Sequence, residues 1–257
     1  MLNYIDHAPD TAGTPLLIAH GLFGSGRNWG VIAKRLSDAR RVIAVDMRNH
    51  GQSMRADTNS YTDMAADLAT VIDHFGAPMD VLGHSMGGKA AMTLALTRPE
   101  LVRRLIVADI APVTYEHTQA EFITAMRGVD LATVTRRSEA AEQLAAQGVE
   151  PALQSFFTQS LDLSEKRWLL NLDALEANMP DILSFPELAG AFDGPALFLT
   201  GGNSHYVTAA HRPRIKELFP QAHFAKIPET GHWLHAEKPR DFEAAVRTFL
   251  TMDFQGT

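Results

Sequence analysis

Five residues constrain this chain more than any others. Within VLGHSMGGKAA, Gly83, His84, Ser85, Met86 and Gly87 spell G-x-S-x-G, with an apolar run before and a run of small residues suited to a helix after. A serine at the crest of a strand-to-helix turn takes a strained backbone, and glycines on both sides leave room for the chain to reverse. With glycine and serine each near 7% of residues, the bare pattern arises by chance in about one chain in ten of this length. The strand before it and the helix after it are therefore what make it informative. In that setting the hydroxyl projects into a cleft at the positive end of a helix dipole, where charge developing on a nearby oxygen is favoured.

Around this turn, short apolar runs alternate with helical patterns, the signature of a mostly parallel sheet flanked by helices. Strands are predicted over 2–5, 16–20, 42–46, 81–83, 105–109, 196–200 and 224–227, and helices over 29–36, 61–75, 86–97, 211–219 and 239–250. Met64, Leu68, Val71, Ile72 and Phe75 recur at helical spacing, while Gly76, Pro99 and Pro220 end three helices. From 112 to 194 no strand is read, and Phe122, Met126, Leu144, Leu153, Phe156, Trp168 and Leu172 suit several short helices. The expected organisation is an α/β core of residues 1–111 and 195–257. Residues 112–194 form a helical cap inserted before the penultimate strand, with an ungated helical layer as the alternative.

Two further motifs belong with the serine. In LLIAHGLFGSGRNW, a loop following His20 and Gly21 can present the Leu22 amide beside that of Met86, forming an oxyanion hole, although HG can also simply turn the chain. In IPETGHWLHAEKP, His232 follows Gly231 between the last strand and the last helix, where a general base is expected. Its rival His235 is read as part of the turn into the final helix, His84 as facing away from Ser85, and His20 as packing beneath the oxyanion loop.

Composition narrows the chemistry further. A net charge of -7 gives no broad attraction for nucleic acid or an anionic membrane. The absence of cysteine excludes disulfides, thiolate nucleophiles and cysteine-ligated metals. No HExxH occurs, and His205 with His211 fits no common ligand spacing, so neither a metal nor another cofactor is expected. The opening MLNYIDHAPDTAG lacks a basic stretch followed by an apolar one, and no apolar run reaches membrane-spanning length. A soluble, cytoplasmic protein is the expectation.

The chain resembles the α/β-hydrolases, and more narrowly is similar to bacterial YbfF-type esterases. The resemblance rests on HGLFGSGRNW at 20–29, VIAVDMRNHGQS at 42–53, LGHSMGGKAAM at 82–92, LIVADIAPVTY at 105–115 and GHWLHAEKP at 231–239. In the superfamily the acid of a Ser-acid-His set follows the strand after the insertion as G-x-x-D, but here the fourth position is Ser204. Asp46, Arg48 and His50 of DMRNHGQS belong to a stretch that is mainly a structural turn. The strand before the insertion ends in VADIAP and offers Asp109 at its C-terminal edge, where sites on parallel sheets gather. Adjacent strands are about 4.8 Å apart, so moving the acid by one strand is a shift that side-chain reach can absorb. Asp109 as a mere turn residue is the competing reading, and Asp193 and Glu229 are weaker acids for the role. The resemblance also implies that Ser204 supports the acid by a hydrogen bond.

The resemblance implies a carboxylesterase acting on small acyl esters, with acyl-CoA thioesters as an open extension, and no cofactor. The partner is thus a small ester or thioester. Arg127, Arg136, Arg137, Lys166 and Arg167 either meet a phosphorylated leaving group or lie on solvated helix faces. Lys89, one turn beyond Ser85, is read as structural or supporting rather than as the base of a Ser-Lys dyad. A carbon-carbon hydrolase using the same residues and a non-catalytic ligand receptor remain as alternatives. A serine nucleophile argues against the aspartate-based dehalogenase and epoxide hydrolase chemistries of the superfamily.

Overall fold

The structure, a computed structural model, describes residues 1–254. In chain order the strands are β1 (Tyr4–His7), β2 (Leu16–Ala19), β3 (Val42–Val45), β4 (Met79–His84), β5 (Val102–Ala108), β6 (Leu161–Asp162), β7 (Arg167–Trp168), β8 (Ala196–Gly201) and β9 (Ala222–Ile227). Seven of them form one sheet in the order β1-β3-β2-β4-β5-β8-β9. All its pairings are parallel except that of β1 with β3.

The helices before residue 112 are α1 (Gly30–Leu36), α2 (Tyr61–Phe75) and α3 (Met86–Thr97). Residues 112–194 carry α4 (Ala120–Arg127), α5 (Arg137–Ala146), α6 (Pro151–Thr158), α7 (Leu172–Ala177) and α8 (Met179–Leu183). After them come α9 (Arg212–Leu218), α10 (Leu234–Glu237) and α11 (Pro239–Thr251). None of these is long and apolar enough to cross a membrane.

Period-two alternation sorts the strands between two cores. In β2, Leu17 and Ala19 face the layer containing α2 and α3, whereas Leu16 and Ile18 face the layer of α1 and α11. Each fully buried leucine or isoleucine contributes roughly 1.5–3 kcal/mol. Helix α2 shows how local chemistry sets the ends of an element. The Ser60 side chain accepts from the Asp63 amide at its start, and Gly76 closes it with φ of 74°. Its apolar stripe of Met64, Leu68, Val71 and Ile72 is wholly buried.

Several strand ends are corrected, β4 beginning at Met79, β5 at Val102 and β9 at Ala222, and two further differences concern the first strand and residues 112–194. The first strand pairs from Tyr4 rather than from Leu2: Leu2 is buried in the core, but the ladder with β3 begins at Tyr4 opposite Val45. Residues 112–194 also contain the β6–β7 hairpin, in which Leu161 faces Trp168 and Asp162 faces Arg167. Strands of two residues are too short to reveal a period of two in sequence.

Candidate active site

β4 delivers Ser85 to the carboxyl edge of the sheet, and the close approach of its neighbours dictates the glycines. A Cβ on Gly83 would lie 2.2 Å from the Gly87 carbonyl oxygen, and one on Gly87 would lie 2.3 Å from that of Ala19. Ser85 itself has φ 52° and ψ -120°, a conformation costing about 1–3 kcal/mol that the packed strand and helix must offset. Its amide donates to the Ala108 carbonyl, which ties the turn to the end of β5.

Asp109 also has a positive φ, 53°, and is fully buried. Its amide donates to Leu199, so the residue is braced between β4 and β8. Oδ1 accepts from the Gly201 amide at 3.0 Å. Oδ2 accepts from Ser204 Oγ at 2.5 Å and from His232 Nδ1 at 2.8 Å. On the other side of the ring, His232 Nε2 lies 3.0 Å from Ser85 Oγ. A neutral imidazole donating through Nδ1 leaves Nε2 free to accept the serine proton. The loop bearing His232 reaches this place by crossing β8 backbone to backbone, since a Cβ on Gly201 would fall 2.1 Å from the Gly231 carbonyl oxygen.

The structure thus brings Ser85, Asp109, His232 and Ser204 together. Leu22 and Met86 border Ser85, and neither amide has a protein acceptor among the described residues. Met86 is the first residue of α3, where an unpaired N–H is expected. Asp193 is exposed, and Glu229 is exposed and paired with Lys238 at 2.8 Å; neither touches His232. The DMRNHGQS stretch is a structural turn as expected. Asp46 accepts from the amides of Gly26 and Gln52, Arg48 pairs with Asp67, and His50 Nε2 accepts from the Phe23 amide.

Three further histidines, His84, His235 and His20, are buried around the serine turn and its neighbouring loops. His84 packs against Trp29 and His235 and reaches the site through His232. Its ring centroid is 4.7 Å from that of His232, and its Nε2 donates to the His232 carbonyl oxygen. Burial holds His84 well below the usual imidazole range, and it likewise lowers His235 to about 3, beside Trp29 at 4.2 Å. His20 donates through Nδ1 to Gly21 and accepts the Met47 amide at Nε2, and burial lowers its pKa as well. Burial thus disfavours a positive charge on the His84 ring that touches His232.

A cavity of about 180 Å³ opens beside Ser85, walled by Leu22, Phe122, Leu153, Phe156 and Trp233. Leu153, Phe156 and Trp233 also line an adjoining groove of about 450 Å³ whose rim carries Arg27. Arg27 is exposed and has no carboxylate partner among the described residues. The cations singled out in the sequence are otherwise engaged. Arg127 pairs with Asp173 and Glu176, Arg136 with Glu139, and Arg167 with Asp162, while Arg137 donates to Thr158 and Leu161 and Lys166 to Val134.

Lys89 points into the protein rather than to the serine. Its Nζ donates to the carbonyls of Leu183 at 2.9 Å and Ser184 at 2.5 Å, and desolvation lowers its pKa to about 7. It pins the end of α8 to α3, the structural role expected of it. Sequence reasoning missed Tyr206, whose ring stacks on His232 at 3.9 Å, and Arg27, which lies within HGLFGSGRNW but drew no role from it; the folding of the loops brings both to the site.

Residues 14–239 match the family described as alpha/beta hydrolase fold. The chain is 42% identical over 246 residues to the sn-1-specific diacylglycerol lipase ABHD11 of Mus musculus, spanning 91% of this chain and 80% of that protein. It is 37% identical over 241 residues to Esterase YbfF of Escherichia coli, spanning 92% and 93% of the two. The solved structure titled marine microorganism esterase superposes with a TM-score of 0.91 at 38% identity, over 96% of this chain and 98% of that one.

Proposed function

The chain belongs to the α/β-hydrolase family, and on that footing we propose that it is a carboxylesterase-type serine hydrolase cleaving small-molecule esters through an acyl-enzyme. The observation that carries this reading is the unbroken series from Ser85 Oγ to His232 Nε2 at 3.0 Å and from His232 Nδ1 to Asp109 Oδ2 at 2.8 Å. His232 takes the Ser85 proton as Oγ bonds to the ester carbonyl carbon. The amides of Leu22 and Met86 receive the oxyanion. Collapse breaks the carbon-oxygen bond to the alcohol, which leaves with the proton from Nε2. Water, deprotonated by the same nitrogen, then releases the acid and regenerates Ser85.

Residues 112–194 act here as a cap. Phe122, Leu153 and Phe156 from that segment wall the cavity, so the acyl group lies against apolar side chains. The same chemistry extends to thioesters, and Arg27 at the groove rim favours a leaving group that carries negative charge.

The test is hydrolysis of p-nitrophenyl butyrate before and after treatment with a serine-directed phosphonate, followed by mapping of the label. Turnover abolished in step with labelling at Ser85, and absent in Ser85→Ala, is the expected result. Turnover that survives complete labelling of Ser85 would overturn the reading.

A further inference from the structure

The loop that carries Ser204 where a superfamily acid would stand holds a second side chain against the imidazole. The ring of Tyr206 lies 3.9 Å from that of His232, centroid to centroid, with only 20° between their planes. The imidazole also meets the His84 ring at 4.7 Å and, edge to face, the Trp233 ring at 5.6 Å. Rotation of the ring about its Cβ–Cγ bond would break both the Ser85 and the Asp109 contacts, and these neighbours oppose that rotation.

Tyr206 is itself held from several directions. Its carbonyl accepts from Tyr115 Oη at 2.6 Å, and its amide donates to Ser204 Oγ at 3.3 Å. Its hydroxyl lies 2.9 Å from His117 Nε2 and 3.5 Å from Gln119 Nε2. Tyr115 in turn accepts the Ala111 amide at 2.9 Å and lies under Lys89 Nζ, 4.8 Å from its ring centroid. These contacts, with the Tyr115 ring at 5.3 Å and that of His117 at 5.2 Å, hold the aromatic plane that stacks on His232.

We propose that Tyr206 is a positioning residue whose stacked ring keeps the imidazole in line between Ser85 and Asp109 and favours the imidazolium formed as Ser85 gives up its proton. This rests on the roles proposed above for Ser85 and His232. A cation against an aromatic face gains energy that a neutral ring does not. The contact therefore stabilises the charged state of the reaction more than the resting state, which is the condition for accelerating a step rather than merely binding substrate. Because Tyr115, His117 and Gln119 belong to residues 112–194, the same contacts link the placement of that segment to the imidazole.

The experiment compares wild type with Tyr206→Phe and Tyr206→Leu, after confirming that wild type hydrolyses p-nitrophenyl butyrate and Ser85→Ala does not. Failure of that first comparison would remove the esterase reading whatever Tyr206 does. For Tyr206→Leu the expected result is a kcat about ten- to thirtyfold lower with KM within about twofold. The second-order rate of Ser85 labelling by a small phosphonate should fall by a similar factor. Tyr206→Phe, which keeps the ring, should retain about half or more of both rates. If circular dichroism shows Tyr206→Leu to be unfolded, Tyr206→Met supplies apolar bulk without a ring. A change in KM alone with the labelling rate unaltered would make Tyr206 a wall of the pocket and overturn the proposal. A loss in Tyr206→Phe as large as in Tyr206→Leu would do the same, since the hydroxyl and not the ring would then matter.

Discussion

Asp109→Asn is the substitution on which the proposed chemistry depends most directly. Asp109 Oδ2 accepts from both His232 and Ser204, and Oδ1 accepts from the Gly201 amide. An asparagine of the same shape has one acceptor oxygen and one donor nitrogen for these three donors. If its oxygen stays with Gly201, its NH2 faces Nδ1 and selects the imidazole tautomer that cannot take a proton from Ser85. If it flips, the Gly201 amide is left buried without an acceptor. At 2.8 Å, with an effective dielectric of about 20, the carboxylate and the imidazolium attract by ~6 kcal/mol, or about four powers of ten in rate. The amide dipole recovers part of this, so kcat should fall about 10³- to 10⁴-fold, in line with the loss seen when a triad acid is neutralised elsewhere. Urea unfolding should shift little, because the buried volume is unchanged and a buried charge is removed. Steady-state kinetics on p-nitrophenyl butyrate and a denaturation curve measure both. Retention of more than a tenth of the wild-type kcat, or an equal loss in Glu229→Gln, would refute the reasoning, since Glu229 is exposed and bound to Lys238.

Ser204→Ala removes one hydrogen bond to Asp109 and leaves the other two, so kcat should fall about tenfold with KM unchanged, well short of the Asp109→Asn effect. A loss equal to that of Asp109→Asn would mean the serine does more than support the acid. Lys89→Met strips the donors from two carbonyls at the end of α8 and should lower stability by about 2–4 kcal/mol, read as the urea midpoint. Its pH dependence has a definite sign. With its folded pKa lowered from 10.5 to about 7, the folded state binds fewer protons than the unfolded one between those values. The resulting penalty is full below pH 7 and vanishes as pH rises past 10.5. Wild type should therefore gain stability relative to Lys89→Met from about pH 7 upward, and parallel curves for the two proteins would contradict the desolvation of this amine.

Much of this architecture is legible in the chain because the relevant physics is local. The elbow glycines announce themselves since no Cβ fits where Gly83 and Gly87 pass their neighbours. The core strands read as unbroken apolar runs because both faces of a parallel sheet are covered. Asp109 could be singled out because β5 is the strand next to β4, and a side chain at its carboxyl end is one strand spacing from the serine turn. The hairpin within 112–194 escaped notice because its strands are two residues long, and the first strand was placed two residues early because Leu2 is buried without being paired. For His84, strand alternation gives its direction from β4 but not the contact with the returning His232 loop.

From its sequence alone, this protein's family resemblance, its layered α/β organisation and Ser85, His232 and Asp109 as candidates could be stated, the first two residues from short motifs and the third from the expected neighbourhood of two strands. Tertiary structure decided everything that requires distant segments to meet. It brought the Asp109 carboxylate within 2.8 Å of an imidazole 123 positions away, laid Tyr206 flat on that ring, and turned Lys89 from the serine toward the end of α8. Such contacts leave no periodic trace in the chain. They are set by how loops at the sheet edge close over one another, and that closure is a property of the packed whole.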